Sequence, residues 1–211
     1  MPELDKYHIE KNNVTFYFRP GSKDPLVFND IFRANHYYLP EDMSKMVFVD
    51  IGAHIGSASI LAASRGAKVY SFEPTKESFD ILKKNIGVNK YDVSARNVGV
   101  GRPGKRFLNL NKNQDCNSLH DLEDPENFIG TEEVEIISLE EALKNIPKID
   151  IMKIDCEGAE WEFFPEITNG LYKKIPYFIG EIHPLYKLDG VEEPPMYNKR
   201  SRDAYVYDYT R

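Results

Sequence analysis

The chain has 211 residues and a formal net charge of −7, from 27 basic and 34 acidic side chains. That length suits one domain with a sizeable core, and without a basic stripe nucleic acid is excluded as an expected partner. Two cysteines, Cys116 and Cys156, stand outside any Cys-x-x-Cys pair, which excludes a disulfide framework or zinc knuckle and fits reduced thiols.

At the start, Met1-Pro2-Glu3-Leu4-Asp5 lacks the basic lead and apolar core of a signal peptide. No apolar run is long enough to span a bilayer, so the expected compartment is cytoplasmic and no membrane partner is expected. Asn13 to Arg19 alternates β-branched and aromatic residues and predicts a strand. Pro20 to Pro25 is turn chemistry, and Leu26 to Asn35 predicts a short helix capped by Asp24. With the aromatic run His36-Tyr37-Tyr38-Leu39-Pro40, residues 1–45 read as a cap segment beside a main domain of residues 46–211.

From Met46 the pattern changes to strand and helix in alternation. Met46-Val47-Phe48-Val49 predicts a buried strand, Asp50-Ile51-Gly52-Ala53-His54-Ile55-Gly56 a tight turn, and Ser57 onward a helix that stops near Gly66. Ala67 to Phe72 is a second strand, ending in Glu73-Pro74, and Thr75 is the expected cap of the next helix. Val93 to Val100 predicts a third strand, followed by a turn at 102–105 and a hairpin arm over Arg106–Leu110. Asn111 to Gly130 reads as a long loop over the site, with Asn113, Asn117, Ser118 and His120 expected to be solvated. Glu133 to Ile137 is a strand, and Ser138-Leu139-Glu140-Glu141 is a capping box. Ile149 to Ile154 and Pro176 to Pro184 complete a series that implies a parallel sheet with right-handed crossovers.

The turn at Gly52 is where chemistry concentrates. Glycine tolerates backbone angles that other residues resist and lets a neighbour approach closely, while the following helix offers unpaired N–H groups to an anion. An acid at the tip of the second strand, here Glu73, suits ribose hydroxyls. A dinucleotide fingerprint needs Gly-x-Gly-x-x-Gly for its pyrophosphate. Counted from Gly52, its later glycines would be His54 and Ser57, which disfavours NAD. Asp-x-Gly-x-x-x-Gly with a ribose acid is instead similar to the first two motifs of S-adenosylmethionine-dependent methyltransferases, whose cofactor has no phosphate.

The second informative stretch is Met152-Lys153-Ile154-Asp155-Cys156-Glu157-Gly158-Ala159-Glu160. Lys153 lies inside an apolar strand, so it needs a charged partner. Lys153, Asp155 and Glu157 start on one face, at the carboxyl end where α/β sheets bind ligands. If the Pro176–Pro184 strand lies alongside, Glu181 and His183 reach the same rim, with His183 a candidate base. No fixed ligand spacing marks a metal site among them, so none is expected.

Together these blocks resemble the FkbM family of S-adenosylmethionine-dependent methyltransferases. The resemblance is carried by Phe48 to Gly56, Phe72-Glu73-Pro74, Asn97-Val98-Gly99-Val100, Ile137 to Glu141 and Met152 to Glu160. It implies an α/β class I methyltransferase fold: a single Rossmann-like domain whose mostly parallel sheet carries helices on both faces. It implies S-adenosylmethionine as cofactor, at Asp50, Gly52, Gly56 and Glu73, with His54, Asn97 and Val98 completing the matched set. The acceptor it implies is a hydroxyl of a small molecule or carbohydrate, with Asp155, His183, Glu157 and Lys153 as the catalytic candidates. Two departures stand out: His54 occupies a position where the family commonly has Asn, and the tail after Pro184 is short for a closing hairpin. An NAD-dependent oxidoreductase and a catalytically silent S-adenosylmethionine-binding module are the competing readings.

Overall fold

Apolar runs free of alternation form the centre of the molecule, as expected for strands covered on both faces. A computed structural model describes residues 3–10, 13–112, 116–120, 125–168, 175–191, 198–199 and 204–208. An antiparallel hairpin, β1 (Asp5–Ile9) and β2 (Val14–Phe18), precedes helix α1 (Asp24–Phe28), which widens into a π-helical turn over Asn29–Arg33. Then follow β3 (Val47–Ile51), α2 (Ser57–Ser64), β4 (Lys68–Phe72), α3 (Lys76–Asn89) and β5 (Val93–Arg96). Next come β6 (Gly99–Val100), β7 (Gly104–Asn111), β8 (Phe128–Ile137), α4 (Leu139–Leu143), β9 (Ile151–Ile154) and α5 (Glu160–Thr168). The chain closes with β10 (Tyr177–Glu181), β11 (Asn198–Lys199) and β12 (Ala204–Asp208).

The main sheet runs in the order β11-β12-β10-β9-β3-β4-β5. The five strands from β10 to β5 are parallel, and β12 is antiparallel to β10. From β3 the chain proceeds outward to β4 and β5, then returns to lay β9 on the other side of β3. The carboxyl ends of β3 and β9 therefore flank the point where strand order reverses, the usual ligand crevice of such sheets.

Alternation along β3 feeds two cores. Phe48 joins Ile60, Leu61 and Ile81 of α2 and α3 together with Phe16, Phe18, Phe28 and Phe32. Val49 and Ile51 join Met152, Leu139, Trp161, Phe164 and Phe178. Helices thus cover both faces, and the first forty residues share a core with α2. Asn85, fully buried on α3, accepts from Tyr17 N at 2.7 Å and donates to Ile55 O at 2.9 Å, so it ties β2 to the main domain.

Several elements differ from the sequence expectations. Residues 93–100 are two strands: Asn97 Nδ2 donates to Glu73 O and Pro74 O at 2.9 and 2.7 Å, and beyond it β6 leaves the main sheet to pair with β8. β8 starts five residues earlier than its apolar end suggests, because β7 pairs with its exposed half. Asp24 does not cap a helix but lies within α1 and is taken by Arg19. Thr75 begins α3 without a side-chain cap, its hydroxyl going to Glu73 instead. Ser138 does cap α4, accepting from Glu141 N at 3.1 Å. The short tail still supplies closing strands, β11 and β12.

Candidate active site

Asp50, at the end of β3, is fully buried. Its Oδ2 accepts from Ser59 Oγ at 2.5 Å, and its Oδ1 faces Lys153 Nζ at 3.2 Å as an ion pair. Lys153 also donates to Gly52 O at 2.7 Å and lies 3.6 Å from Asp155 Oδ2. Burial alone would lower the lysine's pKa, but Asp50 and Asp155 outweigh it and hold the ammonium charged. Lys153 is thus a cross-link between the ends of β3 and β9.

The turn itself is strained toward left-handed backbone, with φ of +77° at Gly52, +51° at His54 and +97° at Gly56. A Cβ on Gly52 would sit 1.8 Å from Asp155 O, so its bare Cα admits the backbone of the β9 end. At Gly56 a Cβ would lie 2.6 Å from Leu82 Cδ1, on the helix side. Glu73 reaches back to this turn, accepting from His54 N at 2.8 Å, Thr75 N at 2.9 Å and Thr75 Oγ1 at 2.5 Å. Burial raises its pKa, although these donors work against the rise. The His54 ring is held by residues that follow β2. Arg19 Nη2 donates to its Nε2, and Asp24 receives the same guanidinium at 2.9 and 2.7 Å through Nε and Nη2. Burial, then the Arg19 charge, lowers His54 to a pKa of about 3, so the ring is neutral.

Across the crevice, β9 and β10 deliver the acidic rim. Asp155 Oδ2 accepts from Tyr37 Oη at 2.7 Å. Burial pushes its carboxyl up, but Lys153, His183 and the Tyr37 bond outweigh this and hold it below the usual carboxylate range. Glu157 has a left-handed φ of +53°. Burial is the main cause that raises its pKa to about 8, with Asp155, Glu160 and Glu181 adding and His183 opposing. His183 is oriented by Glu160, whose fully buried carboxylate accepts from its backbone N at 2.7 Å and from Nδ1 at 3.0 Å. Burial alone would lower His183, but Glu160 and Glu157 reverse this and raise it to about 10.

Between turn and rim lies an open cleft, about 890 Å³ with its solvent-open mouth included, lined from both halves of the sheet. Of the expected site residues, Gly52, His54, Glu73, Lys153, Asp155 and Glu157 line it. Asp50, Gly56, Asn97, Val98 and His183 are not among its lining residues. Asp50 is spent on Lys153 and Ser59, Asn97 on backbone carbonyls, and Val98 belongs to the core under β6. The expectation of a solvated loop fails for Ser118, which is 1% exposed and donates to Glu157 O at 2.6 Å. Asn117 lines the cleft, His120 stacks on Tyr186, and Asn113 lies outside the described residues.

Sequence reasoning missed Tyr37, Glu160 as the holder of His183, and Ser57. Ser57 opens α2 and lines the cleft; it is 3% exposed, and its Oγ finds no hydrogen-bond partner among the described residues. An orphaned hydroxyl beside free helix amides wants a polar ligand. Glu73 keeps lone pairs for ribose hydroxyls, and apolar Val100, Leu108 and Ile136 continue the wall for a base. These donors and this shape fit S-adenosylmethionine.

Fold and crevice thus define a Rossmann-like domain of class I methyltransferase type. A family model described as "Methyltransferase FkbM domain" matches residues 50–194, and the chain belongs to that family, whose cofactor is S-adenosylmethionine. Hexuronic acid methyltransferase AglP of Haloferax volcanii is 27% identical over 139 residues, covering 65% of this chain and 56% of AglP. The chain therefore spans little more than half the length of that relative. Methyltransferase sdnD of Sordaria araneosa is 27% identical over 214 residues, with 85% of this chain and 81% of sdnD covered. Among solved structures, the T. thermophilus 16S rRNA N2 G1207 methyltransferase RsmC, in complex with AdoMet and guanosine, matches with a TM-score of 0.55. Its identity is 16%, over 98% of this chain and 50% of RsmC, a likeness of fold alone. Among the described residues no helix is long and apolar enough to cross a membrane.

Proposed function

We propose that this chain is an S-adenosylmethionine-dependent O-methyltransferase acting on a hydroxyl of a small molecule or sugar in the cytoplasm. The observation that carries the reading is the single cleft joining Glu73 and the start of α2 to Asp155 and Glu157. In this reading Glu73 takes the ribose hydroxyls, and the α2 amides with Ser57 Oγ take the carboxylate of the methionine moiety. The chemistry supplied on binding is an electrophilic methyl carbon on a sulfonium. Attack on it is an in-line displacement, so much of the acceleration comes from alignment of acceptor oxygen and methyl. Asp155, ionised and turned to the cleft, receives the acceptor's proton, which is worth roughly 10²–10⁴-fold. Lys153 positions Asp155, and His183 sets the field at Glu157. Residues 1–45 act as a cap on the domain of residues 46–211, since Val27 and Ile31 line the cleft and Tyr37 holds Asp155. The hexuronic acid named for AglP makes uronic acids and their glycosides the first acceptors to try.

The test is transfer of labelled methyl from S-adenosylmethionine to such a panel, with Asp155→Asn alongside the wild type. The expected result is labelled ether product, a turnover lowered by about 10²-fold or more in the variant, and cofactor affinity within about threefold of wild type. Turnover unchanged by Asp155→Asn would remove that carboxylate from the mechanism.

A further inference from the structure

Two neighbouring parallel strands bring three ligand-type side chains to one point. Asp155 follows β9, Glu181 ends β10, and His183 lies two residues beyond. One carboxylate oxygen of each acid and one ring nitrogen of His183 all lie within 4.8 Å of one another. An ion with bonds of about 2.0–2.6 Å separates its facing ligands by up to about 5 Å, so only small movements would close this set. Two of the three are held from behind. Nδ1 of His183 is committed to Glu160, which leaves Nε2 facing the acids, 3.5 Å from Glu157 Oε2. A buried carboxylate that fixes the far ring nitrogen is the usual support of a metal-binding histidine. Trp161 Nε1 donates to His183 O at 2.8 Å and fixes the same residue through its backbone. Tyr37 orients Asp155 in the same way, at 2.7 Å.

Charge balance points the same way. Asp155, Glu157, Glu160 and Glu181 gather around His183, with His36 Nε2 3.9 Å from Glu181 Oε1, while the nearby ammonium of Lys153 is shared with buried Asp50. Side chains of Glu181 and Asp155 keep 31% and 22% of their surface, so the point is open on one side to water and substrate.

We propose that Asp155, Glu181 and His183 form a divalent-cation site at the rim of the cleft, which Asp155 lines. Two carboxylates and one imidazole suit a hard ion such as Mg²⁺ or Mn²⁺. The sequence conceals such a site because its ligands come from two strands. Its role, which rests on the methyltransferase reading, is to hold the acceptor hydroxyl and make it more acidic. An acceptor with a second oxygen beside the hydroxyl, a vicinal diol or a hydroxy acid, would chelate the ion and be preferred. A carboxylate bound through one oxygen retains lone pairs, so Asp155 can still accept the proton.

The test is Mn²⁺ titration of the chelator-treated full chain without cofactor, followed by the electron spin resonance of free ion and by fluorescence of Trp161, the only tryptophan. The expected result is loss of the free-ion signal up to one equivalent with parallel quenching. Glu181→Gln and His183→Asn should each weaken binding at least about tenfold, and Glu181→Gln should leave S-adenosylmethionine affinity unchanged. A wild-type chain that leaves the free-ion signal intact overturns the proposal, as do variants that bind Mn²⁺ as tightly as wild type. If His183→Asn does not fold by circular dichroism, Glu181→Gln decides alone. Failure of the ion to bind while S-adenosylmethionine does would sink this site only; the reverse would sink the methyltransferase reading and spare the site.

Discussion

Lys153 and Asp50 are both fully or nearly fully buried, at 3% and 0% exposure, so each is the other's main compensation. Truncating one leaves a charge stranded in low dielectric, a loss of about 3–5 kcal/mol. Lys153→Met is therefore expected to fail chiefly in stability, with a large drop in urea midpoint; a near-normal midpoint would contradict the cross-link. Glu73→Ala should weaken S-adenosylmethionine binding at least about tenfold by titration, given the proposed ribose role, and unchanged affinity would dismiss it. His54 supplies a pH dependence. In the unfolded chain it gains a proton near 6.5, whereas the native ring does so only near 3. Between those values the unfolded state binds more protons, so this group's effect makes stability rise with pH and fall as pH drops below about 6.5. At pH 5 the loss relative to pH 7 is at most about 2 kcal/mol. His54→Asn, the residue common in the family, should flatten the difference between urea curves at pH 5 and pH 7. The position of Glu73 and Asp155 at the cleft was legible because an acid ending an apolar strand has few structural uses. Tyr37 and Glu160 were not, because their value lies in contacts that span 118 and 23 residues of sequence.

Short polar links, more than helix propensity, decide where elements sit. Asn85 on α3 serves backbone groups of both β2 and the turn after Gly52, and Asn89 one turn further on accepts from Thr15 N and donates to Thr15 O. Asn85→Ala should cost about 2–3 kcal/mol by leaving buried backbone groups unpaired, measured by denaturant unfolding; a change under about 0.5 kcal/mol would disprove the tie. Gly52→Ala should be worse still, since its methyl would overlap Asp155 O and the backbone there is left-handed. Strands β3, β4, β9 and β10 were readable because their apolar runs are short and end in turn chemistry. The outer half of β8, Phe128-Ile129-Gly130-Thr131-Glu132, carries no inward face, and its first three residues fall in the expected loop. The split of β5 from β6 depends on Asn97 bonding to Glu73 and Pro74, which no local pattern announces. Ser118 was misread for the same reason, its partner being Glu157 O.

At the scale of the whole molecule, a seven-stranded sheet with two separate cores puts its order reversal between β3 and β9. The groups of the proposed site converge there: the turn and Glu73 from one half, the acidic rim from the other, and Arg19, Asp24 and Tyr37 from the first forty residues. Family and fold class were legible because two blocks of sequence each encode a strand end with its turn. The contact of the first forty residues with the turn was not, since Arg19 meets His54 only through the folded core. The central claim is that this convergence grips S-adenosylmethionine, and calorimetric titration of the pure, folded chain tests it most directly. The account predicts one-to-one binding of S-adenosylmethionine and of its demethylated product, with a rise in melting temperature for both and no response to NADH. A folded sample that gives neither heat nor thermal shift with either sulfur compound would contradict it.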